Sequence, residues 1–273
     1  MPDRPTPAAP WIMGVLNVTP DSFSDGGLFF AHEQAVARGI EMWEQGADIV
    51  DVGGESTRPG ANPVSEADEL HRVVPVVRAL VGRGVQVSVD TTKVAVAQAC
   101  LEAGAWMVND VTAAASPGMS ELVAKHQANL CLMHMRGEPR TMQVDPVYDD
   151  VVAEVRAFLV QAAQAAEKNG VAKNKIWIDP GIGFGKTPNH NLQLINGVGR
   201  LADTGYPVLV GASRKSFIKA VGAGDAPADR LAATIAAHSV AQRNGASVLR
   251  VHDVIEAKRA ATLVASLIQA ENE

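Results

Sequence analysis

Eight short apolar runs, each followed by a longer segment of helical periodicity, constrain the fold more than any other feature of this chain. The runs are WIMGVLNV, ADIVDV, VQVSVD, WMVND, NLCLMHM, IWIDP, PVLVG and SVLRV. The segments after the first two predict helices over about 33–45 and 65–80. Many of the runs are apolar along most of their length, which is typical of parallel strands covered on both faces. The pattern therefore predicts an α/β protein with eight β-strands and eight helices.

A closed (β/α)8 TIM barrel is the arrangement that best fits this alternation. The chain has 273 residues, somewhat more than the ~250 typical of such a barrel. A doubly wound open sheet is the alternative that the pattern leaves open. No linker divides the chain, so residues 11–273 are predicted to form a single barrel domain. Residues 1–10, MPDRPTPAAP, contain four prolines and no apolar core, and are predicted to be a disordered lead-in rather than a signal peptide.

Composition excludes several classes of partner. The net charge of -6 and the sequence pI near 5.7 argue against a nucleic-acid partner, because such proteins usually carry a basic face. No window offers about 18 uncharged apolar residues in a row, the usual transmembrane threshold, so we expect no membrane partner and a cytoplasmic protein. Cys100 and Cys131 lie in apolar segments without metal-type spacing, and they are predicted to be small buried thiols.

Every predicted strand ends in a residue that can bind a ligand or ionise. In a barrel of this kind, the carboxyl ends of the strands meet at one mouth, where the active site lies. The residues at these ends are Asn17, Asp51, Asp90, Asn109, Asp110, His134, Asp179, the run 213–216, Arg250 and His252. An Asp after a strand is often only a turn or N-cap residue, and this alternative stays open for Asp51 and Asp110. Capping does not explain the whole set, because Arg and Lys cannot accept a hydrogen bond from a helix N-terminus.

The sequence matches none of three familiar ligand-binding motifs. The stretch DPGIGFGKT imitates a phosphate-binding P-loop, but Pro180 stands where the first glycine is required. Lys186 likewise stands in place of the third glycine of a dinucleotide fingerprint. His134 and His252 lie far apart and lack accompanying ligands, so they do not predict a zinc site.

The polar residues at the strand ends divide by their chemistry. Three offer acceptors and amide donors suited to the edge of a flat, nitrogen-rich heterocycle: Asp90, Asn109 and Asp179. Four others can surround an anion with several oxygens, such as phosphate: Asn17, Lys215, Arg250 and His252. Together they predict a phosphorylated heterocycle as the ligand.

Eight motifs resemble those of the dihydropteroate synthase family of pterin-binding barrels. They are MGVLNVTPDSFSDGG, DVGGESTRPG, SVDT, VND, CLMHM, DPGIGFGK, LVGASRKSF and LRVHDV, in family order from Met13 to Val254. The resemblance covers nearly the whole chain. It implies a TIM barrel and a transferase of folate biosynthesis, inhibited by sulfonamides, that joins 6-hydroxymethyl-7,8-dihydropterin diphosphate to 4-aminobenzoate and releases pyrophosphate.

The resemblance also implies roles for individual residues. The pterin would be held by Asp90, Asn109, Asp179 and Lys215. The diphosphate would be held by Asn17, Arg250 and His252, with Mg²⁺ bridging Asn17 to its oxygens. The 4-aminobenzoate would be bound by Phe23, Thr57, Arg58, Pro59 and Ser216, which lie on two mobile loops and at a helix N-terminus. The residues expected to act in catalysis are Asp25, Arg58, Asp179 and Lys215.

The expected chemistry follows from the weak nucleophile. An arylamine shares its lone pair with the ring, so we expect a dissociative, SN1-like substitution in which pyrophosphate departs early. One alternative is a methyltetrahydrofolate–corrinoid methyltransferase, which has the same barrel but no diphosphate to release. Another is a non-catalytic pterin-binding protein. The resemblance also favours a homodimer.

Overall fold

Eight parallel strands form a nearly closed barrel in the computed structural model, which describes residues 5–19, 27–56, 63–138 and 141–271. The strands are β1 (Trp11–Asn17), β2 (Ile49–Gly53), β3 (Val87–Asp90), β4 (Met107–Asp110), β5 (Asn129–Met133), β6 (Ile176–Asp179), β7 (Leu209–Val210) and β8 (Val248–Val251). Their order in the sheet is β6-β5-β4-β3-β2-β1-β8-β7. A parallel bridge between Ile178 and Val208 joins the two end strands. The predicted TIM barrel is confirmed, and the open-sheet alternative is wrong.

Helices follow every strand, but two of the connecting segments contain two helices each. The described residues form α1 (Gly27–Glu44), α2 (Glu66–Val81), α3 (Val94–Glu102), α4 (Met119–Lys125), α5 (Val151–Lys168), α6 (Pro188–Asn196), α7 (Val198–Ala202), α8 (Ser216–Ala220), α9 (Leu231–Arg243) and α10 (Val254–Ala270). The expectation of eight helices was therefore too low. The segment after β6 breaks at Gly197, where a Cβ would lie 2.7 Å from the Val152 side chain, and the segment after β7 begins with the short α8.

The predicted helix bounds agree with those of the structure more closely for α2 than for α1. Ser65 caps α2, because its Oγ accepts the Asp68 N–H at 3.1 Å, as the N-cap rule requires. The helix α1 begins at Gly27 rather than near residue 33. The stretch between Gly27 and residue 33 has no proline or further glycine, so nothing in it interrupts a helix once one has begun.

Aromatic and aliphatic side chains fill the amino end of the barrel. Trp11, Trp106 and Trp177 pack with ring centroids 5.4–5.7 Å apart. They belong to a cluster that also contains Met13, Ile49, Met107, Cys131, Leu209 and Val248. A separate, larger cluster packs the helices against the outside of the strands. Because this end is filled, the ligand-binding mouth is the carboxyl end of the strands.

Residues near the amino terminus contact the barrel. Thr6 and Ala9 form a short bridge, and the Gln242 Nε2 donates to the Pro7 carbonyl at 2.8 Å. Residues 1–4 lie outside the described residues, so the disordered lead-in stays a prediction. Both cysteines are buried and unpaired, as predicted.

Among the helices that the structure describes, none has the combination of length and apolar character needed to cross a membrane.

Candidate active site

Three predicted site residues lie in one row across neighbouring strands. Asn17 of β1 pairs in register with Gly53 of β2, which pairs with Asp90 of β3, which pairs with Asn109 of β4. Asp179 is the last residue of β6 and pairs with Met133 at the end of β5. The carboxyl ends of parallel strands meet at the same edge of the barrel, so the predicted mouth is built as expected from these residues.

Asp51 connects three of the strands through hydrogen bonds to a single oxygen. Its Oδ2 accepts from the Asn109 Nδ2 at 3.0 Å and from the Arg250 Nε at 2.7 Å. The same guanidinium donates through a terminal nitrogen to the Asp90 Oδ2 at 2.8 Å. Asp51 is fully buried inside β2. The alternative that Asp51 is only a turn or capping residue is therefore wrong, whereas Asp110 does accept the Thr112 N–H at 2.7 Å in a turn.

The ionisation of this network is strongly shifted by burial. Burial raises the pKa of Asp90 to about 7, while Arg250 opposes the rise and the nearby carboxylates of Asp51 and Asp110 add to it. Burial disfavours the charged Arg250, but Asp51 and Asp90 outweigh this effect and raise its pKa above the ordinary value. Arg250 therefore stays charged, and Asp90 is more easily protonated than an ordinary Asp.

Asp179 is a buried carboxyl with one oxygen already hydrogen-bonded. Its Oδ1 accepts the Gly181 N–H at 2.7 Å. Burial raises the pKa of Asp179 to about 6, against the lowering effects of that N–H and of the cations Lys215, Arg250 and Lys186. At neutral pH Asp179 is therefore largely ionised.

Lys186 is a buried lysine in the loop after β6. Its Nζ lies 3.0 Å from the His134 Nδ1 and donates to the carbonyl oxygens of His134 and Phe184 at 3.3 and 2.9 Å. Burial lowers the pKa of Lys186 to about 7, although Asp179 favours its charged form. Burial, with the Lys186 charge beside it, lowers the pKa of His134 to about 3. His134 is therefore a neutral partner of Lys186.

Lys215 and Ser216 lie at the start of α8. The Lys215 Nζ lies 4.1 Å from the centroid of the Phe184 ring, which is the geometry of a cation–π contact. Lys215 is the N-cap residue of α8 and Ser216 is its exposed first residue. Because Lys186 holds the Phe184 carbonyl and Lys215 lies over the Phe184 ring, Phe184 links the two lysines.

Asn17 and His252 line a second part of the mouth between β1, α1 and the segment after β8. Arg38 and Arg214 line the same depression. The His252 Nδ1 lies 2.9 Å from the Ser213 Oγ, and burial, with Arg250 next in effect, lowers the pKa of His252 to about 4. A neutral imidazole can meet an anion only through one ring N–H.

The residues around Asn17 suit Mg²⁺ only when a ligand brings most of the oxygens. No group of three or more His, Cys, Asp or Glu that suits a metal ion occurs in the described ranges. The Asn17 amide offers one oxygen, and Mg²⁺ commonly takes one or two protein ligands together with substrate phosphates and water. The residues present therefore fit a metal–diphosphate ligand.

Five predicted residues cannot be compared with this geometry. Phe23, Asp25, Thr57, Arg58 and Pro59 lie outside the described residues.

Comparisons with known proteins agree with the geometry. The model of the family described as "Pterin binding enzyme" matches residues 13–252. The dihydropteroate synthase of Haemophilus influenzae is 46% identical over 249 residues, which cover 90% of each chain. The chain belongs to the dihydropteroate synthase family. It is accordingly a transferase of folate synthesis.

Solved structures of dihydropteroate synthases superpose over almost the whole chain. The Xanthomonas albilineans enzyme with 4-aminobenzoic acid has a TM-score of 0.89 at 47% identity, covering 98% of this chain and 94% of that one. The same enzyme with 7,8-dihydropteroate has a TM-score of 0.85 at 44% identity and covers 96% and 94%. The Yersinia pestis enzyme in a sulfonamide drug complex has a TM-score of 0.89 at 44% identity and covers 95% and 94%.

Sequence reasoning missed two residues at the heart of this dihydropteroate synthase fold. Asp51 was given no functional role, although it holds Asn109 and Arg250. Lys186 was noted only because it interrupts a glycine motif, although it binds His134 and Phe184. A charged residue inside an apolar strand or a glycine loop is the signal that was available, because burying an unpaired charge is costly.

Proposed function

We propose that this enzyme condenses 6-hydroxymethyl-7,8-dihydropterin diphosphate with 4-aminobenzoate to give 7,8-dihydropteroate and pyrophosphate. The observation that carries the proposal is the cluster of buried polar groups from β2, β3, β4 and β8, with Asp179 at the end of β6. Several of these groups bond to one another, and the donor and acceptor atoms that those bonds leave over are costly to bury unless a polar ligand pairs with them. The 4-aminobenzoic acid and 7,8-dihydropteroate in the Xanthomonas complexes support this choice of substrate and product.

The pterin ring is assigned to the deep part of the mouth. The Asn109 Nδ2 donates a hydrogen bond to Asp51, so the Asn109 Oδ1 is the atom that accepts from a ring N–H. One Asp179 oxygen is taken by the Gly181 N–H, and the other is left as an acceptor. Asp90 also accepts, and Lys215 donates. Buried acceptors reject a ring that lacks matching N–H groups, because they would be left unpaired.

The diphosphate is assigned to the part of the mouth that Asn17 and His252 line. Mg²⁺, when bound with the substrate, would supply charge neutralisation for the departing pyrophosphate. His252 donates a hydrogen bond as a neutral imidazole, and Ser213 orients its ring. Arg250 is assigned here as well, although it is bonded to Asp51 and Asp90, so it reaches the ligand from the deep side of the mouth.

The substitution is proposed to be dissociative. The bond between the methylene carbon and the diphosphate oxygen breaks with both electrons leaving on pyrophosphate. The dihydropterin ring delocalises the resulting cation, and ionised Asp179 balances its charge. The 4-aminobenzoate nitrogen then forms the new bond and loses a proton. Phe23, Thr57, Arg58, Pro59 and Ser216 are proposed to hold the 4-aminobenzoate, and Asp25 is proposed to act near Mg²⁺ and the departing pyrophosphate.

A turnover experiment tests the reaction. Pure protein, Mg²⁺, the dihydropterin diphosphate and 4-aminobenzoate are mixed, and dihydropteroate and pyrophosphate are measured, with Asp179→Asn as the matched inactive control. Both products should appear in equal amounts. Pterin binding without turnover would favour a non-catalytic pterin-binding protein, and methyl transfer from methyltetrahydrofolate to a corrinoid would favour the methyltransferase.

Rates in a single turnover test the dissociative step. If pyrophosphate leaves first, arylamines of different nucleophilicity should give the same rate of pyrophosphate release. A rate that rises with nucleophilicity contradicts the SN1-like proposal but leaves the overall reaction intact. A sulfonamide added to the same assay should compete with 4-aminobenzoate, as the Yersinia drug complex suggests for that enzyme.

A further inference from the structure

Asp51 satisfies two donors through one oxygen, and both donors belong to residues assigned to the ligand. The Asn109 Nδ2 and the Arg250 Nε bond to Oδ2 at 3.0 and 2.7 Å. Its Oδ1 is buried and has no hydrogen-bond partner among the described residues. The hydrogen bonds of this side chain therefore serve the site, since it joins no loop and caps no helix in the described part of the chain.

The chemistry of a carboxylate decides how Asn109 is oriented. A carboxylate oxygen accepts hydrogen bonds, and only the nitrogen of an amide can donate. The Asn109 amide must therefore turn its nitrogen to Asp51, which leaves its oxygen as the atom available to a ligand. Without Asp51, the amide could turn over and offer a donor instead.

The Asp51 Oδ2 also holds the Arg250 guanidinium. With Nε on Asp51 and a terminal nitrogen on Asp90, the fork of donors is fixed between two carboxylates. Loss of the Asp51 oxygen would leave Nε buried without a partner, which is costly enough to move the guanidinium.

We propose that Asp51 is the positioning residue of the pterin pocket: its Oδ2 sets the donor and acceptor polarity of Asn109 and anchors Arg250. This inference rests on the proposed function, since it concerns the pterin site. It assigns the effect to the acceptor oxygen and not to the charge of the carboxylate. An Asn at position 51 keeps an acceptor oxygen, so it should preserve the site, whereas an Ala removes that oxygen.

Asp48, at the opposite end of the barrel from the mouth, provides a matched control for Asp51. It is also buried, and its Oδ2 also accepts two hydrogen bonds, from the Ile12 N–H at 2.8 Å and from the Lys258 Nζ at 3.0 Å. It immediately precedes β2 at the filled end of the barrel, remote from the mouth. Asp48→Ala therefore reports the cost of losing such a carboxylate without touching the site.

Calorimetric titration with 6-hydroxymethyl-7,8-dihydropterin diphosphate, without 4-aminobenzoate, measures the effect on the site. Asp51→Ala should weaken binding by about ten- to a hundredfold, as expected when a buried polar partner is lost. Asp51→Asn should weaken it by less than about fivefold, and Asp48→Ala should leave it unchanged.

In an Asn109→Ala background, Asp51→Ala should weaken pterin binding by a smaller factor than it does alone, because the two residues act together. Equal losses for Asp51→Asn and Asp51→Ala, or independent losses in the double variant, would overturn the proposal.

A spectroscopic measurement on the ligand-free protein separates this inference from the proposed function. In protein labelled with ¹⁵N at asparagine, the Asn109 side-chain cross-peak is identified by its loss in Asn109→Ala. It should move or broaden in Asp51→Ala and stay in place in Asp48→Ala. An unmoved peak in folded Asp51→Ala would overturn the inference.

If Asp51→Ala does not fold, the binding measurement on Asp51→Asn decides. Pterin binding that is weakened more than tenfold in Asp51→Asn would contradict the role of the acceptor oxygen. Failure of the wild-type protein to bind the pterin ligand would instead overturn the proposed function.

Discussion

Asp179 shows how one residue is prepared for a charged ligand. Its carboxyl is buried, one oxygen accepts the Gly181 N–H, and burial raises its pKa to about 6. Three cations, Lys215, Arg250 and Lys186, limit that rise. The group is thus kept ionised at neutral pH while remaining easy to protonate, which suits the role proposed for it, the balancing of positive charge on the pterin.

Replacing Asp179 by Asn should weaken pterin binding while the fold survives. The amide oxygen can still accept the Gly181 N–H, but the amide nitrogen places a donor against a ring N–H. A buried mismatch of this kind costs about 1–3 kcal/mol. Calorimetry with the dihydropterin diphosphate measures it, and unchanged affinity would remove Asp179 from the ring site.

The same substitution predicts a pH dependence of stability. Because the pKa of Asp179 is raised to about 6 from 3.8, the folded state retains a proton that the unfolded chain loses. The free energy of unfolding of the wild type, relative to Asp179→Asn, should therefore fall by about 2 kcal/mol as the pH rises from about 4 to about 6, and be nearly constant above. Denaturant unfolding of both proteins across this range measures the difference. A flat difference contradicts the raised pKa.

At the scale of the element, the loop between β6 and α6 carries much of the site. Gly181 has a φ of +66°, and a Cβ there would lie 1.9 Å from the His134 carbonyl oxygen. The loop after β5 is thus pressed against the loop after β6, where Lys186 bonds the same carbonyl. Only glycine combines this positive φ with so close an approach of two backbones.

Gly181→Ala should damage both stability and pterin binding. Gly205→Ala is the control, because Gly205 has a φ of +80° but a Cβ added there would meet no atom within 4 Å. Gly205→Ala should lower the free energy of unfolding only by the cost of placing a Cβ at a positive φ, about 1–2 kcal/mol. Gly181→Ala should lower the free energy of unfolding by more, and pterin affinity should fall with it, because the Gly181 N–H bonds to Asp179 and Lys186 lies on the displaced loop. Equal stability losses in thermal unfolding would show that the close contact is unimportant.

At the scale of the whole molecule, the adjoining helices α9 and α10 both carry exposed apolar side chains. Leu263 and Leu267 lie one turn apart on α10 and are 63% and 53% exposed, and Val240 on the adjoining α9 is 42% exposed. Large exposed apolar side chains grouped on neighbouring helices favour contact with another protein surface. We propose that this surface is the homodimer interface that the family resemblance implies.

Charged substitutions test this interface. Leu263→Glu combined with Leu267→Glu should convert a dimer to a monomer in sedimentation velocity, because burying two carboxylates at the contact is costly. Val144→Glu, at a position 78% exposed in the loop after β5, should leave the dimer intact. A wild-type protein that sediments as a monomer contradicts the interface.

The order of binding is also a property of the whole molecule. The 4-aminobenzoate site is expected to be completed by segments from several βα loops, which the diphosphate is expected to hold. Affinity for 4-aminobenzoate should therefore rise when pyrophosphate and Mg²⁺ are present. Equal affinity with and without pyrophosphate refutes the ordering.

The sequence by itself determined the barrel and the residues at its mouth. Alternation of apolar strands with amphipathic helices is a local pattern, and a polar residue at the end of a strand is read from the same pattern. Asn17, Asp90, Asn109 and Asp179 were therefore predicted at the mouth because parallel strands bring their carboxyl ends together. Local patterns also predicted the Ser65 end of α2.

Only the tertiary structure decided which of these side chains are partners. Asp51 and Arg250 are 199 positions apart in the chain and meet because β8 closes beside β1. Lys186 and His134 are 52 positions apart and meet because two glycine-containing loops pack together. Hydrogen bonds of this kind depend on distance and burial after the barrel has closed, and burial also sets the pKa values of Asp90 and Asp179. Neither quantity exists in the local sequence, because both arise from the residues that the fold brings around each group.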